Sequence, residues 1–320
     1  MAIFQIIVVL VLGFMAGMIL TSVEIPILKH KQFQQFIREE GPQSHQSKAG
    51  TPTMGGIAIY VAIVICSLIG VKASVDLVVI IIAGLAFGLI GFLDDYIKVS
   101  AHHNLGLRAW QKLVLQIAFG LAFGYYVMNY TELGSQVWIP FVNKYVDLGI
   151  WYVPFVAFVM VAMANSVNLT DGLDGLCGGV SAIFAFSMAI IANSMGAIAS
   201  ADYLLATSGA LIGFLVYNKY PAQVFMGDTG SMALGGGMTA AIIMAKAELL
   251  IPIAGFIFVL EALSVIIQVV SFKTTGKRVF RMAPIHHHFE LGGMHEKNVS
   301  IMFWIATAAL CIITMAIALS

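Results

Sequence analysis

The chain has 320 residues, of which 60% are hydrophobic and only 10% are charged, and its formal net charge is zero. Soluble domains are about 45–50% apolar and about 25% charged, so this composition excludes a single soluble globule and indicates a membrane protein. The balanced charge predicts no nucleic-acid partner. The isolated cysteines Cys66, Cys177 and Cys311 support neither a disulfide framework nor a zinc site.

Apolar runs follow one another along the whole chain, each near the roughly 20 residues that a helix needs to cross a bilayer. They lack the in–out alternation of a membrane β-barrel, so we predict an all-α, polytopic membrane protein that forms a single domain over 1–320. The ten predicted spans are 2–20, 54–71, 76–93, 111–129, 151–167, 176–194, 202–217, 231–246, 250–271 and 300–319. Short β-prone runs between glycines predict a small extracytoplasmic hairpin near 130–150.

Lysine and arginine are distributed unevenly over the gaps between these spans. The gaps that follow the odd-numbered spans share one side and hold 13 of the 16 basic residues; the others hold only Lys72, Lys144 and Lys246. The positive-inside rule therefore puts the first set of gaps in the cytoplasm and both termini outside. Nearly all acidic and histidine motifs fall on the same cytoplasmic side.

The first such motif is the pair Asp94 and Asp95, which ends the third predicted span. Adjacent carboxylates repel each other, and acids at a helix C-terminus oppose the helix dipole. The pair is costly unless a cation or a reacting group uses it. We therefore predict a functional role and weigh it against a solvated helix end.

The run NLTDGLDG follows the fifth span and repeats a polar side chain every three residues, at Asn168, Asp171 and Asp174. On a helix these side chains share one face. A capped turn needs fewer of them, so we predict a binding role.

A third acidic motif, FMGDTGS, precedes the eighth span and contains Asp228. Backbone N–H groups at a helix N-terminus bind anions, and Mg²⁺ favours one or two carboxylates together with substrate phosphate oxygens. We predict a magnesium ion on Asp228; the alternative is an ordinary N-cap. Phe225, in the same motif, would either stack on a nucleobase or anchor the chain at the membrane interface.

The triplet His286, His287 and His288 lies in the last cytoplasmic gap, among basic residues. Three consecutive side chains are badly placed to ligate one metal, so hydrogen bonds to phosphate are the better prediction. Glu261 and Gln268, seven residues apart inside the ninth span, would line the site or pack between helices.

Five strings occur in this order: KAGTPTMGG, GFLDDYIKV, NLTDGLDGL, FMGDTGS and APIHHHFE. Together they resemble the bacterial phospho-N-acetylmuramoyl-pentapeptide transferases, within the polyprenyl-phosphate N-acetylhexosamine-1-phosphate transferases, and the resemblance covers nearly the whole chain. It implies a ten-helix enzyme of the bacterial inner membrane, often a homodimer, with its active site on the cytoplasmic face. The implied reaction uses Mg²⁺ and joins UDP-N-acetylmuramoyl-pentapeptide to undecaprenyl phosphate, giving lipid I and UMP.

The resemblance also implies roles for individual residues. The catalytic set is Asp94, Asp95, Asp228, His286, His287 and His288, with Asp228 linked to magnesium. The substrate-binding set is Lys48, Lys112, Asn168, Asp171, Asp174, Phe225 and Gln268. Taken by itself, Lys48 is equally well a phosphate contact or a charge that sets the topology.

Three alternatives accompany this prediction. The string APIHHHFE favours the muramoyl-pentapeptide branch over relatives that use UDP-N-acetylglucosamine. A secondary transporter would use Glu261 as its coupling group, but its polar residues should then cluster near the bilayer midplane. Because the acceptor phosphate is largely a dianion, we favour direct attack over a covalent phospho-aspartate at Asp94 or Asp95, which the sequence does not exclude.

Overall fold

The structure is a computed structural model that describes residues 1–34, 48, 50–70, 74–101 and 105–320. Its helices are α1 (Ile3–His30), α2 (Gly56–Gly70), α3 (Val75–Ser100), α4 (Ala109–Tyr130), α5 (Tyr152–Thr170), α6 (Leu176–Ser194), α7 (Ile198–Asn218), α8 (Gly227–Met244), α9 (Ile251–Ala254), α10 (Phe256–Thr275), α11 (Ile285–Glu290) and α12 (Glu296–Leu319). Its strands are β1 (Gln136–Ile139) and β2 (Lys144–Asp147).

Within these residues, eight helices are long and apolar enough to cross a membrane: α1, α3, α4, α5, α6, α7, α10 and α12. They confirm the expected all-α, multi-pass architecture. The second and eighth predicted spans correspond to α2, with 15 residues, and α8, with 18. Ten crossings and the location of the termini stay predictions. Arg38 and Lys72, two of the basic residues used for orientation, lie outside the described residues.

Helix α8 lies at the centre of the bundle, where every residue from Thr229 to Ile243 is buried. Its glycines, alanines, serine and threonines suit this position, because small residues let the backbones of neighbouring helices approach closely. A Cβ at Gly91 of α3 would lie 2.1 Å from the Asp228 carbonyl oxygen. This close approach brings the C-terminal part of α3 against the first turn of α8.

The hairpin predicted near 130–150 is present. Strands β1 and β2 pair antiparallel, with Val137 opposite Val146. The indole N–H of Trp138 donates to Oδ1 of Asn143 at 2.9 Å and closes the turn between the strands. Below the hairpin, the Lys246 ammonium donates to the Gly134 carbonyl at 2.6 Å. A two-stranded hairpin is marginally stable alone, so this buried lysine helps to hold it on the bundle.

Candidate active site

The ends of α3 and α8 bring together three carboxylates: those of Asp94, Asp95 and Asp228. One oxygen from each lies within 4.8 Å of the others, and Asp94 and Asp95 are buried. Two ammonium groups lie among them, from Lys98 on α3 and Lys112 on α4. Three anions against two cations leave a net negative charge, which suits a further cation.

Asp94 and Asp228 share both lysines. Lys98 Nζ lies 2.5 Å from Asp94 Oδ2 and 3.1 Å from Asp228 Oδ2. Lys112 Nζ lies 3.1 Å from Asp94 Oδ2 and 2.6 Å from Asp228 Oδ2. The other Asp94 oxygen accepts from the backbone N–H of Leu107 at 2.8 Å. Lys98 was absent from the predicted site, although its position four residues after Asp94 on one helix was a signal for it.

Asp95 has a different environment from its neighbour. Its two carboxylate oxygens accept from the backbone N–H of Asp228 at 3.2 Å, and from the backbone N–H and the hydroxyl of Thr229 at 2.8 and 2.7 Å. These N–H groups belong to the first turn of α8, where an α-helix has no acceptors of its own. Asp95 therefore caps α8 from another helix.

Asn168, at the end of α5, orients Asp228. Its amide donates to Asp228 Oδ1 at 2.8 Å and to the Ser231 hydroxyl at 2.9 Å. Asn168 thus joins the carboxylate cluster, together with Lys112 from the predicted substrate-binding set.

A second polar cluster surrounds Lys48. Its ammonium lies 2.7 Å from Asp174 Oδ1 and also forms an ion pair with Glu296 at the start of α12. Glu296 in turn accepts from the Asp174 backbone N–H at 2.6 Å, and Asp174 Oδ2 accepts from the Ala222 N–H at 2.8 Å. Glu296 was missed by the sequence analysis, because no local pattern connects it to a residue more than a hundred positions earlier.

This second cluster borders a cavity of about 430 Å³. The cavity is lined by Lys48, Asp174 and Glu296 and by the rings of Tyr220 and His295. The two rings meet edge to face, with centroids 4.9 Å apart. Charged groups beside aromatic rings can bind both the phosphate and the flat base of a nucleotide.

Asp171 lies between the two clusters. Its pKa is raised to about 8, first by burial and then by the carboxylates of Asp228, Asp95 and Asp174, against a lowering by the Lys48 ammonium. A carboxyl group with this pKa is mostly protonated at neutral pH. It can then donate a hydrogen bond to a ligand.

The three histidines of α11 have three different partners. His286 Nδ1 lies 3.0 Å from Glu261 Oε1, and both side chains are fully buried. His287 Nδ1 lies 3.1 Å from Glu290 Oε2, and His288 Nδ1 accepts from the Arg281 backbone N–H at 3.2 Å. Each histidine of the triplet therefore has its own set of contacts.

His286 also contacts the NLTDGLDG turn. A Cβ added at Gly172 would lie 2.2 Å from His286 Nε2, so only glycine fits there with the ring in place. Glu261, on α10, therefore fixes a histidine that packs against the turn between Asp171 and Asp174. Of the two locations left open for Glu261, the structure favours packing between helices.

Phe225 and Gln268 also make structural contacts, Phe225 through its backbone and Gln268 through its side-chain amide. The backbone of Phe225 donates to the Pro52 carbonyl and accepts from the Gly55 N–H, both at 2.9 Å. The Gln268 amide holds the backbone of Val279 and Phe280 at distances of 2.9–3.0 Å. Phe225 itself is half-buried.

Two family models match this chain. The model described as Glycosyl transferase family 4 matches residues 77–246, and the phospho-N-acetylmuramoyl-pentapeptide-transferase signature 1 matches residues 48–59. The chain belongs to the phospho-N-acetylmuramoyl-pentapeptide-transferase family. The matched ranges contain the carboxylate cluster, Asn168 and Lys48.

Curated relatives of that name match over nearly their whole length. The one from Clostridium botulinum (strain Alaska E43 / Type E3) is 48% identical over 95% of this chain and 94% of its own. The one from Desulfitobacterium hafniense (strain DSM 10664 / DCB-2) is 48% identical over 92% of both chains. The one from Bacillus pumilus (strain SAFR-032) is 47% identical over 95% of both.

Proposed function

We propose that this chain transfers phospho-N-acetylmuramoyl-pentapeptide from its UDP derivative to undecaprenyl phosphate, giving lipid I and UMP, a membrane step of peptidoglycan synthesis. The relatives are named for this transferase, and they match more than nine-tenths of the chain. The main structural support for this chemistry is the cluster of Asp94, Asp95 and Asp228 with two lysines where α3 and α8 meet.

In this reaction two anions must meet. An oxygen of the lipid phosphate forms a bond to the sugar-linked phosphorus of the donor, while the bond to the bridging oxygen breaks and its electron pair leaves with UMP. Catalysis of phosphoryl transfer consists mainly of positioning and charge neutralisation. The ammonium groups of Lys98 and Lys112 supply positive charge where the phosphates would meet.

Magnesium fits the carboxylate cluster, because three carboxylate oxygens converge there around an excess of negative charge. Asp228 would hold the ion with Asp94. When bound, it supplies charge neutralisation on the diphosphate. Asn168 keeps the Asp228 carboxylate oriented through the bond to its Oδ1.

The attacking lipid phosphate is oriented by Asp94 in this proposal. The lipid phosphate is largely dianionic above its second pKa of about 6, so it does not require a strong base. Asp95 already accepts three hydrogen bonds from α8, which leaves it poorly suited to covalent attack. Both features favour a direct, one-step transfer.

We assign the donor nucleotide to the cavity beside Lys48 and Asp174. The half-buried Phe225 is proposed as a stacking ring for its base. Asp171 would donate a hydrogen bond to the donor. His286 would act through the NLTDGLDG turn, and His287 and His288 would bind phosphate. Gln268 is likewise assigned to the nucleoside pocket.

We further propose that the site faces the cytoplasm of a bacterial inner membrane, with both termini outside across ten spans. The bias of lysine and arginine supports this orientation. A cysteine placed at position 290 should then react with a membrane-impermeant label only from the cytoplasmic side, and one at 144 only from outside. A homodimer is proposed from the family resemblance alone, and a molar mass of one chain in detergent would contradict it.

The deciding assay measures UMP release by the purified protein with undecaprenyl phosphate and either UDP-N-acetylmuramoyl-pentapeptide or UDP-N-acetylglucosamine. We expect release only with the muramoyl donor, only with Mg²⁺ and only when the lipid phosphate is present. If UMP were released with UDP-N-acetylglucosamine and not with the muramoyl donor, UDP-N-acetylglucosamine would be the substrate. A lipid-independent burst of up to one UMP per enzyme, lost in Asp94→Asn, would instead establish the covalent route.

A further inference from the structure

The segment between Glu261 and Glu290 is strongly basic. It contains no aspartate or glutamate but includes Lys273, Lys277, Arg278 and Arg281. All four of these side chains are exposed. In the described part of the chain, the lysines and arginines that form ion pairs are Lys48, Lys98 and Lys112. The four basic side chains of this segment therefore have no acidic partner among the described residues. We call residues 273–281 the basic turn.

The basic turn is held in a defined shape by side chains of α10. The Gln268 carbonyl oxygen accepts from the backbone N–H groups of Val279 and Phe280, and its amide donates back to the Phe280 carbonyl. The Ser271 hydroxyl donates to the Lys277 carbonyl at 2.9 Å. Gly276, at φ +69°, ends the helix in the left-handed conformation that favours glycine. The charges are therefore presented on an ordered surface.

Apolar side chains lie beside these charges. Helix α10 is long and apolar enough to cross a membrane, and it ends at Thr275, inside the basic turn. Phe272 and Val279 are each 54% exposed. A soluble anion would need only the cations, whereas a bilayer surface accommodates cations and exposed apolar side chains together.

We propose that the basic turn binds the headgroups of anionic phospholipids in the leaflet that adjoins the active site. Clusters of lysine and arginine next to a membrane-spanning helix attract anionic lipids, and each cation strengthens binding roughly fivefold. The inference goes beyond the transfer reaction. It concerns how the enzyme is bound by the surrounding bilayer.

The test uses the full-length protein in a neutral detergent, with phosphatidylglycerol added in steps and thermal unfolding as the readout. The test variant replaces Lys273, Lys277 and Arg278 by Gln; the matched control replaces the exposed Lys29, Lys144 and Lys297 by Gln. We expect the phosphatidylglycerol concentration that gives half of the thermal shift to rise about a hundredfold in the test variant. In the control, whose lysines are not clustered, it should change much less.

Phosphatidylcholine and undecaprenyl phosphate serve as comparison lipids. An equal thermal shift with phosphatidylcholine, or an unchanged phosphatidylglycerol midpoint in the test variant, would overturn the proposal. So would a rise in the KM for undecaprenyl phosphate without a change in phosphatidylglycerol binding, because the turn would then belong to the acceptor site. Turnover at saturating substrates should be the same in the test variant and the wild type. The thermal shift measures lipid binding without any reaction, so its outcome does not depend on whether the proposed reaction is correct.

Discussion

Asp94 and Asp95 are adjacent in sequence, yet we expect their replacement by asparagine to have different consequences. Asp95 accepts three hydrogen bonds from the first turn of α8. Asp94 instead forms ion pairs with Lys98 and Lys112. Asp95→Asn should therefore reduce stability, whereas Asp94→Asn should reduce turnover.

The size of the stability loss follows from the bonds at Asp95. Asparagine has one acceptor oxygen, so it loses either the bond from the Asp228 N–H or the two bonds from Thr229. Loss of a helix cap costs about 0.5–2 kcal/mol. Loss of a negative charge at a helix N-terminus costs about 0.3–1 kcal/mol more. The total of about 1–3 kcal/mol corresponds to a Tm lower by roughly 2–6 °C in a chain of this size.

Asp94→Asn should leave the Tm nearly unchanged. The amide oxygen can still accept from the Leu107 N–H, and the substitution removes one of three negative charges that face two lysines. UMP release should nevertheless fall, because the nucleophile loses its orienting carboxylate.

Both variants are to be compared in thermal unfolding, followed by tryptophan fluorescence in detergent, and in UMP release. Thr229→Val is the matched control, because it removes only the hydroxyl bond to Asp95 and should lower the Tm by a smaller amount. The reasoning is refuted if Asp95→Asn unfolds at the wild-type temperature, or if Asp94→Asn loses as much stability as Asp95→Asn.

Three further predictions concern the same face of the protein. Asp228→Asn should lower UMP release by roughly 10²–10³-fold, the usual cost of one preorganised electrostatic contact, with little change in Tm; a near-wild-type, chelator-sensitive rate would remove Asp228 from the metal role. Asp171, whose pKa is about 8, is mostly neutral at pH 7 and becomes an anion as the pH rises past 8. The KM for the UDP donor should therefore rise between pH 7 and 9 in the wild type and stay flat in Asp171→Asn, and parallel profiles would contradict this. Gly172→Ala places a Cβ 2.2 Å from His286 Nε2, so it should destabilise by about 1–3 kcal/mol, and an unchanged Tm would mean that the turn shifts freely.

Much of the architecture was predictable from local properties of the chain. Whether a segment enters a bilayer depends on its length and apolar content, both of which are read directly from consecutive residues. The multi-pass architecture could be found this way. The hairpin was indicated by β-prone runs between glycines, and the NLTDGLDG and FMGDTGS motifs by strings of consecutive residues. Motif spacing also singled out Asp228 and Asn168, which the structure joins by a hydrogen bond.

The partners of these side chains were decided only by the packing of the helices. Successive residues on an α-helix point about 100° apart, so Asp94 and Asp95 face different neighbours once α8 lies against α3. Glu296 reaches Lys48 across 248 positions of sequence. Gln268 holds the basic turn, and His286 lies between Glu261 and Gly172. Composition and periodicity describe single segments, whereas these contacts depend on which faces of distant segments meet, and that is determined when the helices pack together.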